Sequence, residues 1–262
     1  MAALIELRSI TKSFSARGVG VHALGPIDLS VGKEKFVALV GPSGCGKSTI
    51  LNLVAGLLEP SQGEVDYQGA PVKGPNRRVG YMTQKDTLLP WRTVEDNIGI
   101  ALELSCRYAT KSERRTRIDQ QIELVGLRGF ERHYPAELSG GMRRRTALAR
   151  MMIYEPETLL LDEPFGALDA QLKLIMQQEL LRLTQLQRMT TVFVTHDLTE
   201  AITLADTVVV FTGRPGKIRA VRDIPLPRPR DVQQMRFLPK FAALYEELWK
   251  ELKDEVEKRQ DV

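Results

Sequence analysis

The sequence predicts an α/β fold: a mostly parallel sheet with flanking helices, an antiparallel β subdomain at the N-terminus and an inserted helical subdomain. Three observations predict it. Short apolar strands alternate with helix-period segments, the pattern of a parallel sheet with crossover helices. A glycine-rich loop joins one such strand to one such helix. From about Thr87 to Tyr154 strand signals vanish and helical stretches take over.

The elements follow in order. "LIELRSI" alternates, "FVALV" is a fully buried type, and "GEVDYQG" is a half-buried strand flanked by glycines. "GVGVHALG", residues 18–25, fails the dinucleotide-binding glycine pattern and reads as a loop. "STILNLVAGLL" carries helical periodicity up to Glu59-Pro60. "VEDNIGIALELS" and "RIDQQIELVGL" are the helices of the insertion. Then come strand "TLLLDEP", the long amphipathic helix "LDAQLKLIMQQELLRLTQLQ", strand "TTVFVTH", helix "LTEAITLA" and strand "TVVVF". "IPLPRPRD" reads as a linker. Beyond it Phe241, Leu244, Leu248, Leu252 and Val256 recur at helical spacing. The expected division is a main domain over 1–226 with its helical subdomain at about 87–154, then a linker and helical extension over 227–262.

A chain of 262 residues can bury a substantial core. A net charge of +4 suits an anionic ligand or the inner face of a membrane, and is too modest to argue for nucleic acid. Cys45 and Cys106 form no metal spacing and no disulfide framework, which points to a reducing, cytosolic setting. The N-terminus lacks a signal-peptide pattern, and no apolar run approaches the roughly 18 residues needed to cross a bilayer. Action at a membrane would need another chain to span it.

"GPSGCGKST" runs Gly41, Pro42, Ser43, Gly44, Cys45, Gly46, Lys47, Ser48, Thr49. Its glycines let backbone N–H groups wrap a phosphate, and the following helix adds its positive dipole end. Lys47 can reach the β- and γ-phosphates, and Ser48 can bind Mg²⁺. Downstream, Asp162 ends a buried strand where it can hold the metal's water shell. The adjacent Glu163 can polarise an attacking water as general base. His196 falls at the carboxyl end of the next strand, where such sheets display ligands. Gln84 ends a strand just before the helical insertion, where its amide can contact metal or water. A second anion-seeking helix start lies in "ELSGGMRRR", with Ser139 as cap and Gly140 and Gly141 giving close backbone approach. No Asn-Lys-x-Asp base reader marks a GTPase. A small-molecule kinase stays open, because the helical insertion could imitate a lid.

In order, "GPSGCGKST", Gln84 in "YMTQ", "LSGGM", "TLLLDEP", Asp169 in "GALD" and His196 resemble the ATP-binding subunits of ABC transporters, over about residues 4–226. The resemblance implies a phosphate-loop NTPase core that binds ATP and Mg²⁺, with Phe14 stacking on adenine. Mg²⁺ would meet Ser48, Gln84 and Asp162. It implies a head-to-tail dimer, formed with a second copy or a paralogue. Ser139, Gly140 and Gly141 of one subunit would cover the nucleotide held by the phosphate loop of the other, and Asp169 would help link the two sites. It further implies membrane-spanning permease subunits, an indirect substrate-binding protein, no nucleic acid, and a peripheral place on the cytoplasmic face of the membrane. "LLPWRTVEDNI", "PFGALDAQ" and "GRPGKI" resemble the subgroup serving nitrate, sulfonate, taurine and bicarbonate importers. There Leu88, Leu89, Pro90 and Trp91 would line the groove for a permease coupling helix; core packing is the other reading of Trp91. "GMRRRTALAR" departs from the family's commoner Gln among the residues after the glycines, and brings in Arg143, Arg144 and Arg145. They read as a solvated or interface face without a catalytic part. An exporter or lipid-trafficking subunit, and a soluble ATPase acting on DNA or ribosomes, are the alternatives.

Overall fold

The computed structural model describes residues 3–16, 19–85, 87–105 and 110–257. Its centre is a six-stranded sheet built from β3 (Phe36–Val40), β6 (Val79–Met82), β7 (Thr158–Asp162), β8 (Thr190–Val194), β9 (Thr207–Phe211) and β10 (Ile218–Asp223). Their spatial order is β10-β9-β3-β8-β7-β6. The five inner and far strands pair in parallel, and only β10 runs antiparallel, along β9. A second, antiparallel sheet of four strands holds β1 (Ala3–Ala16), β2 (Val19–Gly32), β4 (Gln62–Tyr67) and β5 (Ala70–Pro71) in the order β2-β1-β4-β5. Seven α-helices complete the described residues: α1 (Lys47–Val54), α2 (Val94–Ser105), α3 (Lys111–Leu124), α4 (Gly140–Tyr154), α5 (Ala170–Leu186), α6 (Leu198–Leu204) and α7 (Pro239–Glu257).

Strand alternation builds two cores, one on each face of the central sheet. Val37, Leu39, Leu160, Val192, Val194, Val209 and Phe211 pack with α1 and the antiparallel sheet. Their neighbours Phe36, Ala38, Val40, Leu159, Leu161, Phe193, Val208 and Val210 pack with the helices. Successive side chains of a strand point to opposite faces, so a fully apolar strand feeds both cores at once. Each fully buried large side chain contributes about 1.5–3 kcal/mol.

Two expectations are corrected here. The segment "GVGVHALG" is strand, not loop: within β2, Val21 pairs with Phe14 and His22 with Ser13. Its glycines fail a nucleotide motif, yet Ala23 and Leu24 are buried against the phosphate loop. Gly18 lies outside the described residues. The stretch read as a linker is packed down: Ile224, Leu226, Arg230 and Val232 are all buried. The Arg230 guanidinium donates to the carbonyls of Ile202, Thr203 and Ala205 at the end of α6, and to that of Ile224. It thereby supplies the donors that a helix C-terminus lacks. Burial, with Arg228 beside it, pushes the pKa of Arg230 down to about 10, against the pull of Asp206.

The C-terminal periodicity becomes α7, which packs on α6 and β9. Phe241, Leu244, Leu248 and Leu252 are buried beneath it; the side chain of Val256 lies outside the described residues. Arg219 and Arg222 of β10 pair with Glu247, Glu251 and Glu255, which recur every fourth residue along α7.

Candidate functional site

The loop between β3 and α1 forms the floor of the site. Gly46 has φ +100°, and a Cβ there would stand 2.4 Å from Leu24 Cδ2. Only glycine meets both demands. Lys47 is buried, and its Nζ donates to the carbonyls of Gly41 (2.7 Å) and Pro42 (2.9 Å). Cys45 is buried with its Sγ 3.6 Å from Lys47 Nζ.

A cavity of about 330 Å³ opens over this loop. Ser43, Gly44, Gly46, Lys47, Ser48, Thr49, Phe14, Gln84 and Glu163 line it, as do Val21, Ala23, Val194 and Arg214. Phe14 is 40 % exposed, leaving its ring open to a planar ligand, with Lys12 Nζ 5.3 Å from the ring centre. The carboxyl of Asp162 is buried, with Ser48 beside it. Burial pushes the Asp162 pKa up, and Ser48, Arg144 and Lys47 offset that only in part. Beside it, the Glu163 carboxylate accepts from Gln84 Nε2 at 3.4 Å and lies 3.6 Å from His196 Nδ1. Glu163 has φ +48°, a left-handed conformation that costs a non-glycine residue about 1–2 kcal/mol. The arrangement offers a hard-oxygen pair, Ser48 with Asp162, and a separate carboxylate flanked by an amide and an imidazole.

Ser139, Gly140, Gly141 and Asp169 do not join this cavity. Ser139 caps α4 by accepting from Met142 N at 3.2 Å, and Asp169 caps α5 by accepting from Leu172 N at 2.9 Å. Ser139, Gly140 and Asp169 are exposed. The chain thus carries two anion-suited helix starts facing different surroundings.

One arginine near the site escaped the sequence reading. Arg214 donates to the Gly44 carbonyl at 3.2 Å and lines the cavity. Gly216 lies close enough that a Cβ there would overlap the Cys45 carbonyl. "GRPGKI" held the signal, but only as a subgroup mark. Arg144 corrects the expectation of one solvated arginine face. Consecutive helical residues project in different directions. Arg143 turns back to the Leu138 carbonyl, Arg145 donates to those of Val125 and Gly126, and Arg144 is buried beneath the site.

At the far side of the helical subdomain, Asn97 is fully buried and ties down the loop before α2. It accepts from Leu89 N and donates to the carbonyls of Leu89, Arg92 and Thr93. This holds Trp91 outward at 71 % exposure, so core packing is excluded for it. Next to it Leu89, Tyr81, Ile100, Leu104, Arg150 and Tyr154 border a groove of about 690 Å³.

A phosphate loop between strand and helix, a buried aspartate beside its serine and a glutamate at the next position define a nucleotide-binding ATPase cassette. The chain belongs to the ABC transporter family: the profile described as "ABC transporter" matches residues 24–166. It is 46 % identical over 238 residues to an uncharacterized ABC transporter ATP-binding protein of Methanocaldococcus jannaschii, covering 91 % of this chain and 88 % of that protein. It is 40 % identical to the aliphatic sulfonates import ATP-binding protein SsuB of Bacillus cereus, covering 89 % and 91 %. Against the nitrate import ATP-binding protein NrtC of Synechococcus elongatus it is 42 % identical over 95 % of this chain, but spans only 38 % of that longer protein. Among solved structures, a dimeric post-hydrolysis ATP-binding cassette bound to ADP and Pi matches with a TM-score of 0.78 at 29 % identity, over 85 % of this chain and all of that one. The chain is an ATP-binding, ATP-hydrolysing subunit of this family.

Proposed function

We propose that this chain powers an importer of a small anionic solute, working as a head-to-tail dimer on the cytoplasmic face of the membrane. The observation that carries the dimer is the separation of the two anion-suited helix starts. The cavity over the phosphate loop reaches Gln84 and Glu163, while Ser139, Gly140 and Gly141 lie outside it, the first two exposed and Gly141 half-buried. A second copy or a paralogue would bring its turn onto the γ-phosphate, and Asp169 would stand between the two sites. ATP then closes the pair, and loss of the γ-phosphate releases it. The importer reading rests on relatives named for nitrate, aliphatic sulfonate and bicarbonate transport. Their substrates would be chosen by a binding protein and permease, not by this chain. Among the described residues no helix is long and apolar enough to cross a membrane. The groove beside Leu89 and Trp91 would receive the permease.

Within the site, Phe14 would stack on the base, and the residues from Gly41 to Thr49 would wrap the phosphates. Lys47 would exchange its bonds to the Gly41 and Pro42 carbonyls for the β- and γ-phosphates. The Ser48–Asp162 pair, with Gln84 near, is a hard-oxygen set suited to Mg²⁺; the metal would neutralise phosphate charge there. Glu163 would take the proton of the attacking water, with Gln84 and His196 holding that water in line. Glu163→Gln is expected to keep ATP binding, lower hydrolysis by roughly 10²–10⁴ and accumulate an ATP-bound dimer in sedimentation. A variant that stays monomeric with saturating ATP would remove the clamp.

A further inference from the structure

Arg144 is 4 % exposed and sits beneath the catalytic groups without touching the cavity. Its Nε donates to the Pro164 carbonyl at 3.1 Å, and its Nη2 to those of Asp162 and Glu163, both at 2.6 Å. Its Nη1 donates to the carbonyls of Thr83 at 2.8 Å and Gln84 at 2.9 Å. A guanidinium carries five N–H donors in a rigid planar fork, and these contacts employ every one. The two segments so gripped follow β6 and β7. They are the segments that carry Gln84 and Glu163.

The grip is on main chain, so it fixes where both side chains start. Glu163 holds a left-handed backbone, which persists only where its surroundings impose it; the bond to its carbonyl is one such constraint. The separation of the Gln84 amide from the Glu163 carboxylate, 3.4 Å, is spanned from below by this single side chain. Arg144 also lies on the opening turns of α4, whose cap is Ser139. A shift of that turn therefore reaches both catalytic segments through one rigid fork.

We propose that Arg144 is a positioning residue for ATP hydrolysis, holding the Gln84 and Glu163 segments in register so that the attacking water is aimed. The proposal rests on the reading of Glu163 as the base. The test compares Arg144→Gln and Arg144→Lys with the parent chain, measuring kcat and KM for ATP with Mg²⁺, and nucleotide affinity by equilibrium binding. Turnover is counted per bound nucleotide. Arg144→Gln is expected to lower kcat by roughly ten- to a hundredfold while KM and affinity stay within about threefold, because the binding loop is untouched and only aim is lost. Arg144→Lys keeps the charge but has no planar fork, and is expected to remain below the parent by more than about threefold. Parent-level kcat in either variant overturns the proposal. So does a fall in binding that matches the fall in turnover, which is what a merely structural arginine would give. Should Arg144→Gln bind no nucleotide, Arg144→Lys decides by the same criterion. Full hydrolysis by Glu163→Gln would instead remove the base reading, whatever the Arg144 variants do.

Discussion

Lys47 and Gly46 make the sharpest residue-scale cases. Lys47→Ala removes the only lysine lining the cavity among the described residues, and should weaken ATP binding by at least about tenfold, as a lost charge-assisted contact predicts. Unchanged affinity in equilibrium binding would contradict the phosphate-loop reading. Gly46→Ala should fold yet bind nucleotide poorly, because φ +100° and the 2.4 Å approach of Leu24 force the loop to move. The phosphate loop, Asp162 and Glu163 were legible because their chemistry is written in adjacent residues. Arg144 was not. Three arginines in a row look alike as letters, and their separate directions exist only once α4 is packed against β6 and β7.

Elements show where long-range pairing defeats local reading. "FVALV" and "TVVVF" were visible as strands because both faces are buried and, Thr207 apart, every position is apolar. β2 was missed because its alternation is interrupted by glycines and polar residues, and its partner β1 supplies the order. β10 was missed because Arg219 and Arg222 look solvent-facing until the glutamates of α7 cover them. Between α5 and α6, Lys173 bridges Asp197 at 2.9 Å and Glu200 at 2.7 Å. Burial pushes the Asp197 pKa up, but Lys173 and the N–H groups of Thr199 and Glu200 outweigh it, and the carboxyl ends below its usual range. A depressed carboxyl stabilises the fold fully above its unfolded pKa, and that contribution is lost as pH falls through the folded value. Asp197→Asn should therefore lower the melting temperature at neutral pH and flatten its decline in acid; an unchanged acid limb would contradict the assignment. Beside the proposed docking groove, Trp91→Ala should leave basal ATP hydrolysis near the parent value and abolish solute uptake by the assembled transporter. Its exposure predicts no loss of fold, so an unfolded variant would count against the groove.

For the whole molecule, one sheet divides two cores and presents the ends of its parallel strands to a single site. Phe193 lies fully buried at the centre, with the rings of Phe36 and Phe165 each 5.9 Å away. Phe193→Ala should cost about 3–5 kcal/mol in denaturant unfolding. The central claim is that nucleotide seated on one chain is sealed by the Ser139 turn of another. Its most direct test is Ser139→Arg in the Glu163→Gln background, followed by ATP binding and sedimentation velocity with saturating ATP. The account predicts ATP affinity of the isolated chain within about threefold of the parent, since that turn lies outside the cavity, and loss of the ATP-dependent dimer. A dimer that persists with the turn blocked, or an isolated chain that no longer binds ATP, would contradict it.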